Sequence, residues 1–136
     1  MNQSLIPYLT FNGCCKDAML FYEKCLGGNL ELQTIADSPL ANQFPVSMKS
    51  CILHATLTTS YGKLFGSDLN NNELIIGNAI SISLNCQSEN ELNMIFTNLS
   101  ESGTIKYPIE TTYYGGLLGS LTDKYGYNWF LHFKNN

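Results

Sequence analysis

Apolar and polar positions along the chain state one plan twice. An apolar strand, an amphipathic helix and a run of strand-like segments occupy residues 5–68, and the same order returns over 78–134. The second helix has the sharper signal. Ser88 and Glu91 have the spacing of a capping box, and Leu92, Ile95, Phe96 and Leu99 follow at i, i+3, i+4 and i+7, with a stop expected near Gly103. In the first half Ala18, Tyr22, Cys25 and Leu26 share a helical face, and Gly27-Gly28 supplies the stop. Pairing Ala18 with Leu92, Tyr22 with Phe96 and Cys25 with Leu99 gives a constant offset of 74. One offset for three pairs implies a duplicated unit.

The strands read by alternation. Ile80, Ile82 and Leu84 are expected to face the helices, with Ala79, Ser81 and Ser83 opposite. Leu53, Ala55 and Leu57 alternate with His54, Thr56 and Thr58; Trp129, Leu131 and Phe133 alternate with Asn128, Phe130 and His132. A sheet that packs helices on one side and curls around a concavity on the other accounts for one greasy and one mixed face. Tyr61-Gly62 predicts a hairpin, and residues 68–73 a link between halves. Residues 37–49, with Pro39 and Pro45, form a long excursion of the kind used as a lid or interface arm. The equivalent place in the second half, 110–116, holds Thr111, Thr112, Tyr113 and Tyr114, placed to close the mouth of a cup. The expected organisation is a single domain over 1–136, module one about 1–70 and module two about 74–136.

Composition narrows the partners. Charged residues are only 13% of the chain and the net charge is −4, with no Lys/Arg cluster, so nucleic acid is not an expected partner. The start has no basic and apolar leader pattern, and no apolar run reaches 18 residues, so no membrane partner and a cytoplasmic location are expected. Five cysteines, an odd number without CxxC spacing, argue for free thiols in a reducing compartment. Cys14 or Cys15, near a helix N-terminus, is the candidate for a reactive thiol.

Pro7-Tyr8-Leu9-Thr10-Phe11-Asn12-Gly13, then Ala18 to Tyr22 and Leu26-Gly27-Gly28, resembles the opening of the vicinal oxygen chelate superfamily, which includes glyoxalase I, bleomycin-resistance proteins and extradiol dioxygenases. Asp123-Lys-Tyr-Gly126-Tyr-Asn-Trp129 resembles the hairpin before that fold's last strand. Asp37-Ser-Pro39, the run from Met48 to Leu57, Ser81 to Cys86 and Leu121 to Trp129 look like the PhnB-like subfamily. The resemblance spans almost the whole chain. It implies an α+β fold of two βαβββ modules forming a curved, cup-like mixed sheet with helices on the outer face, and a homodimer. Some members of the subfamily carry a ubiquinone methyltransferase label, but no Gly-rich strand-to-helix loop for a methyl donor is present.

The superfamily's metal users draw one ligand from the first and one from the last strand of each module. Carried over, those positions are Ile6 or Pro7, Gly66, Ala79 and Phe130. None has a side-chain donor, whereas transition metals take about four to six N, O or S ligands. His54, Asp68 and His132 are the remaining inward donors from which a rearranged site could be built. The expectation is no metal and no cofactor.

Without metal, chemistry would need a tuned acid or base. His54 is the candidate catalytic residue, with His132 next and Asp68 able to orient either; the alternative is that His54 bonds a neighbouring strand and Asp68 caps a turn. Tyr8, Tyr113, Tyr114 and Phe130, with Thr10 and Ser81, suit a pocket for a small organic ligand, while Trp129 reads as core. The leading function is therefore binding of a small, partly apolar molecule in a dimeric cup. The alternatives are a lyase, isomerase or dioxygenase-type enzyme, or a protein that keeps the fold for dimerisation alone.

Overall fold

The computed structural model describes residues 4–70 and 73–134. The link expected over 68–73 therefore lies partly outside the described residues. The chain divides into two compact units, residues 1–74 and 75–136. Their element orders are the same.

In the first unit, β1 (Tyr8–Thr10) leads to α1 (Cys15–Leu26), β2 (Asn29–Thr34), β3 (Ile52–Thr59) and β4 (Gly62–Ser67). In the second, β5 (Ser81–Cys86) leads to α2 (Glu89–Leu99), β6 (Thr104–Thr111), β7 (Gly116–Thr122) and β8 (Asn128–Lys134). The sheet orders are β1-β4-β3-β2 and β5-β8-β7-β6. In each, the last strand runs parallel to the first and antiparallel to the third. The paired helix positions are all core: Ala18 and Leu92, Tyr22 and Phe96, and Cys25 and Leu99 are buried. Each such apolar side chain contributes about 1.5–3 kcal/mol when it is large and fully withdrawn from water. The helix packs against β2, β3 and β4 in the first unit and against β5, β7 and β8 in the second.

Helix ends follow local chemistry. Gly27 ends α1 at φ 76°, a conformation costly for any residue with a Cβ. Ser88 Oγ accepts from Glu91 N at 3.1 Å, while Glu91 Oε2 accepts from Gln87 N, so the return bond of the capping box lands one residue early. The helix itself ends at Leu99, and the chain turns through Ser102 at φ 58° before Gly103.

Two alternation readings need correction. Ile80 does not face a helix: it precedes β5 and is 82% exposed. Leu53 does not continue the buried row of Ala55 and Leu57. Gln33 pairs with His54 but the next residue, Thr34, pairs with Ile52, so Leu53 is an extra residue in β3 and Ile52 takes the buried place. Such a bulge rotates the strand and re-aims the side chains beside it. The 37–49 excursion contains two 3₁₀ turns, Ala41–Gln43 and Val46–Met48, and its base is closed by Ile35 N to Cys51 O and Ala36 N to Lys49 O. Among the described residues, no helix is long and apolar enough to cross a membrane.

Candidate functional site

Each sheet has one face against its helix and one open face carrying the mixed residues. On the first sheet, β4 lies between β1 and β3, which brings residues distant in sequence side by side: Tyr8 pairs with Phe65, and Phe65 pairs with Thr56. The ring centroids of His54 and Phe65 are 4.9 Å apart at 67°, those of Tyr8 and His54 6.2 Å, and those of Tyr8 and Phe65 6.4 Å at 89°. Edge-to-face contacts of this kind hold rings in defined orientations. His54 Nε2 lies 3.1 Å from Thr56 Oγ1, on its own strand and not a neighbouring one, and Gln33 stands opposite His54 across the β2–β3 ladder. Thr10 pairs with Ser67 at the end of β1.

Asp68 belongs to a different part of the structure. Its buried carboxylate accepts from Gly13 N at 2.9 Å and Cys15 N at 3.0 Å through Oδ1, and from Ile52 N at 2.8 Å through Oδ2. It therefore caps α1, whose own Cys14 supplies no side-chain cap, and ties the end of β4 to the start of β3.

That carboxylate also governs the thiols. Burial, and then the Asp68 charge, push Cys15 up to about 12; burial also raises Cys14 and Cys51, again with Asp68 adding to it. The expected reactive thiol at Cys14 or Cys15 is thus corrected: the helix N-terminus is spent on Asp68 and not on a thiolate. Cys86 is raised to about 11, by burial and then by Glu91. A neutral disulfide probe at pH 7.5 is expected to leave Cys15 and Cys86 unmodified in the folded protein and to label both after denaturation, read by intact mass. Because folded Cys15 binds its proton more tightly than an unfolded thiol near 9, the stability this thiol contributes is full below about pH 9 and is lost between about pH 9 and 12.

The second sheet opens Ser81, Ser83 and Asn85 on β5 and Asn128, Phe130 and His132 on β8, paired in that order. His132 also pairs with Leu118, and Phe130 with Ser120. Trp129 points the other way, is fully buried, and donates from Nε1 to Asp123 Oδ2 at 2.8 Å. Tyr113 and Tyr114 stand edge to face, 5.2 Å apart, on the tight β6–β7 turn, with Tyr113 fully exposed. β6 carries two extra residues relative to β7: Ile105 and Tyr107 pair with the adjacent Leu121 and Ser120, and Tyr107 and Glu110 with Ser120 and Leu118. The bulged strand borders a groove of about 220 Å³, whose walls include Tyr107, Glu110, Thr111, Leu118 and Phe130.

The donor set does not fit a divalent transition metal. Ile6, Pro7 and Ala79 precede their strands, and Phe130 has no donor. Gly66 is on the helix side, since a Cβ there would sit 3.0 Å from Met19 Sδ and 3.1 Å from Cys15 Sγ. The open-face residues of β4 are Phe65 and Ser67, and Ser67 Oγ already donates to Leu53 O and accepts from Leu69 N. Among the described residues, no cluster of three or more His, Cys, Asp or Glu side chains could hold a metal.

Sequence reasoning missed Phe65, Gln33, Tyr107 and Glu110. Phe65 was legible from its alternation with Leu64 after the Tyr61-Gly62 hairpin; the two β6 residues were hidden by bulges.

The family described as 3-demethylubiquinone-9 3-methyltransferase matches residues 3–132. The chain belongs to this family. Among its relatives, protein PA1353 from Pseudomonas aeruginosa is 33% identical, with 99% of this chain and 100% of that chain covered and a TM-score of 0.85. The PhnB protein from Bacillus cereus is 26% identical over 96% of this chain and 99% of its own, with a TM-score of 0.76. Protein YjdN from Escherichia coli K12 is 28% identical over 94% of this chain and 93% of its own length. At the level of fold alone, this PhnB-like protein is similar to a glyoxalase/bleomycin resistance protein/dioxygenase family enzyme from Burkholderia phytofirmans PsJN, 11% identical over 96% of this chain and 97% of that one, with a TM-score of 0.65. The fold is that of the glyoxalase/bleomycin resistance group, α+β with two βαβββ modules.

Proposed function

We propose that this PhnB-like protein is a cytoplasmic homodimer that binds a small, partly apolar organic molecule on the open faces of its sheets, without a metal, its two modules acting as one domain. One observation carries the proposal. Tyr8, His54 and Phe65 gather three rings on a polar sheet face beside Thr56 and Gln33, where packing against α1 does not require them. Rings offer large apolar area, and the surrounding polar groups orient a ligand.

Methyl transfer, which the family description names, lacks support in the chain. A methyl donor of the nucleotide type needs free backbone N–H groups at a Gly-rich strand-to-helix turn. Here that turn has one glycine, and the amides of Gly13 and Cys15 are both bonded to Asp68.

Equilibrium dialysis against a metabolite and antibiotic panel, with native mass spectrometry, tests the proposal. A retained small molecule is expected, bound at least tenfold more weakly by Tyr8→Ala and by His54→Ala. No binder at any concentration, or stoichiometric metal in protein purified without chelators, overturns it. An acid/base enzyme is the second reading, favoured by the half-buried His54 imidazole beside Thr56. Under that reading His54→Ala removes turnover while leaving affinity unchanged.

A further inference from the structure

We propose that the groove along β6 is a cation-selective subsite, in which the aromatic walls take a ring and Glu110 takes the protonated amine of the same small molecule. This deepens the binding function proposed above and rests on it.

The groove is a product of strand irregularity. Pro108 has no N–H to give to a ladder, and the two extra residues in β6 bend it away from regular pairing with β7. Gly119 lines the groove with backbone alone: a Cβ there would point away from the groove to the helix side, 2.7 Å from the Phe96 ring and 2.9 Å from Ile109, so a larger residue at 119 would displace the strand that forms this wall. The groove volume of about 220 Å³ matches some seven waters at about 30 Å³ each, room for one ring and a short tail.

The chemistry of the walls is specific. Phe130 and Tyr107 supply ring faces, Leu118 and Pro108 apolar area, and Thr111 and Thr112 hydroxyls. Of the groove-lining residues, Glu110 alone is an acidic residue, and none is Lys, Arg or His. It has no ion-pair partner among the described residues, where the salt bridge present joins Lys124 to Glu101. A carboxylate beside aromatic faces attracts a cation by charge and by the ring quadrupole together, and repels an anion. The competing role for Glu110 is protection of an edge strand, for which a charge and a proline are the usual devices. That role would leave ligand selectivity untouched.

The discriminating measurement is a methyl and amide NMR titration of the full chain with phenethylamine, 2-phenylethanol and 3-phenylpropionate, three probes alike in ring and differing in charge. Shifts are expected at Thr111, Leu118 and Phe130, with a dissociation constant for the amine on the order of a millimolar. The amine should bind five- to tenfold more tightly than the alcohol, and the carboxylate most weakly. Glu110→Gln, a conservative change on an exposed strand, should erase the difference between amine and alcohol. Phe130→Ala should weaken both, and Glu31→Gln on β2 should change nothing.

Equal binding of amine and alcohol by the parent protein, or a preference that survives Glu110→Gln, overturns the subsite and leaves the broader binding function standing. Shifts confined to other residues also overturn it, while a ligand found by dialysis at the Tyr8 and His54 face would still uphold that broader function.

Discussion

Asp68→Ala is expected to destabilise the protein by about 4 kcal/mol, measured by urea unfolding. Three backbone donors, Gly13, Cys15 and Ile52, converge on this one carboxylate, and the substitution leaves them without a partner in a buried setting. Each orphaned buried group costs roughly 1–3 kcal/mol, partly relieved by water entering the gap. Asp68→Asn keeps the shape but can satisfy only one side, because its amide presents hydrogens where the other oxygen accepted. A loss of about 2 kcal/mol is expected for it. Removing the charge should also lower the pKa values of Cys14, Cys15 and Cys51, since Asp68 raises each of them. A change below about 1 kcal/mol for Asp68→Ala would mean that the carboxylate does not cap α1 in solution.

Trp129→Ala carries a comparable effect in the second unit, about 4–5 kcal/mol, checked by the shift of the thermal midpoint. The indole is the largest fully buried side chain, and its removal leaves a cavity between β8 and α2. It also strips Asp123 Oδ2 of the Nε1 donor, although Asp123 Oδ1 still accepts from Tyr125 N and Tyr127 N. Trp129→Phe separates the two terms. It refills most of the volume and loses the hydrogen bond, so about 2 kcal/mol is expected. If Phe proves as costly as Ala, the hydrogen bond dominates and the packing account is wrong.

Helices and repeats were legible in the sequence because a 3.6-residue period writes burial directly into residue type. All three helix pairs at the offset of 74 proved buried, and both sheets share one strand order. Parity failed at irregularities. The extra Leu53 in β3 exchanged the places expected of Ile52 and Leu53, and two extra residues in β6 concealed Tyr107 and Glu110, because alternation assumes a regular ladder. Asp68 illustrates a different limit. A carboxylate beside a turn reads equally well as a catalytic partner or a cap, and only the three amides gathered from distant segments decide between them.

The strand order has a consequence for synthesis. Among the described residues every ladder closes within its own unit, and the strand made last in each, β4 or β8, slots between two strands already made. A nascent chain can therefore finish the first sheet as soon as β4 clears the ribosome, before the second half is complete, but not earlier, because β1 has no partner until then. Arresting translation with Ser67 still inside the exit tunnel, and again with enough further residues added to bring it outside, should separate a protease-sensitive intermediate from a resistant one.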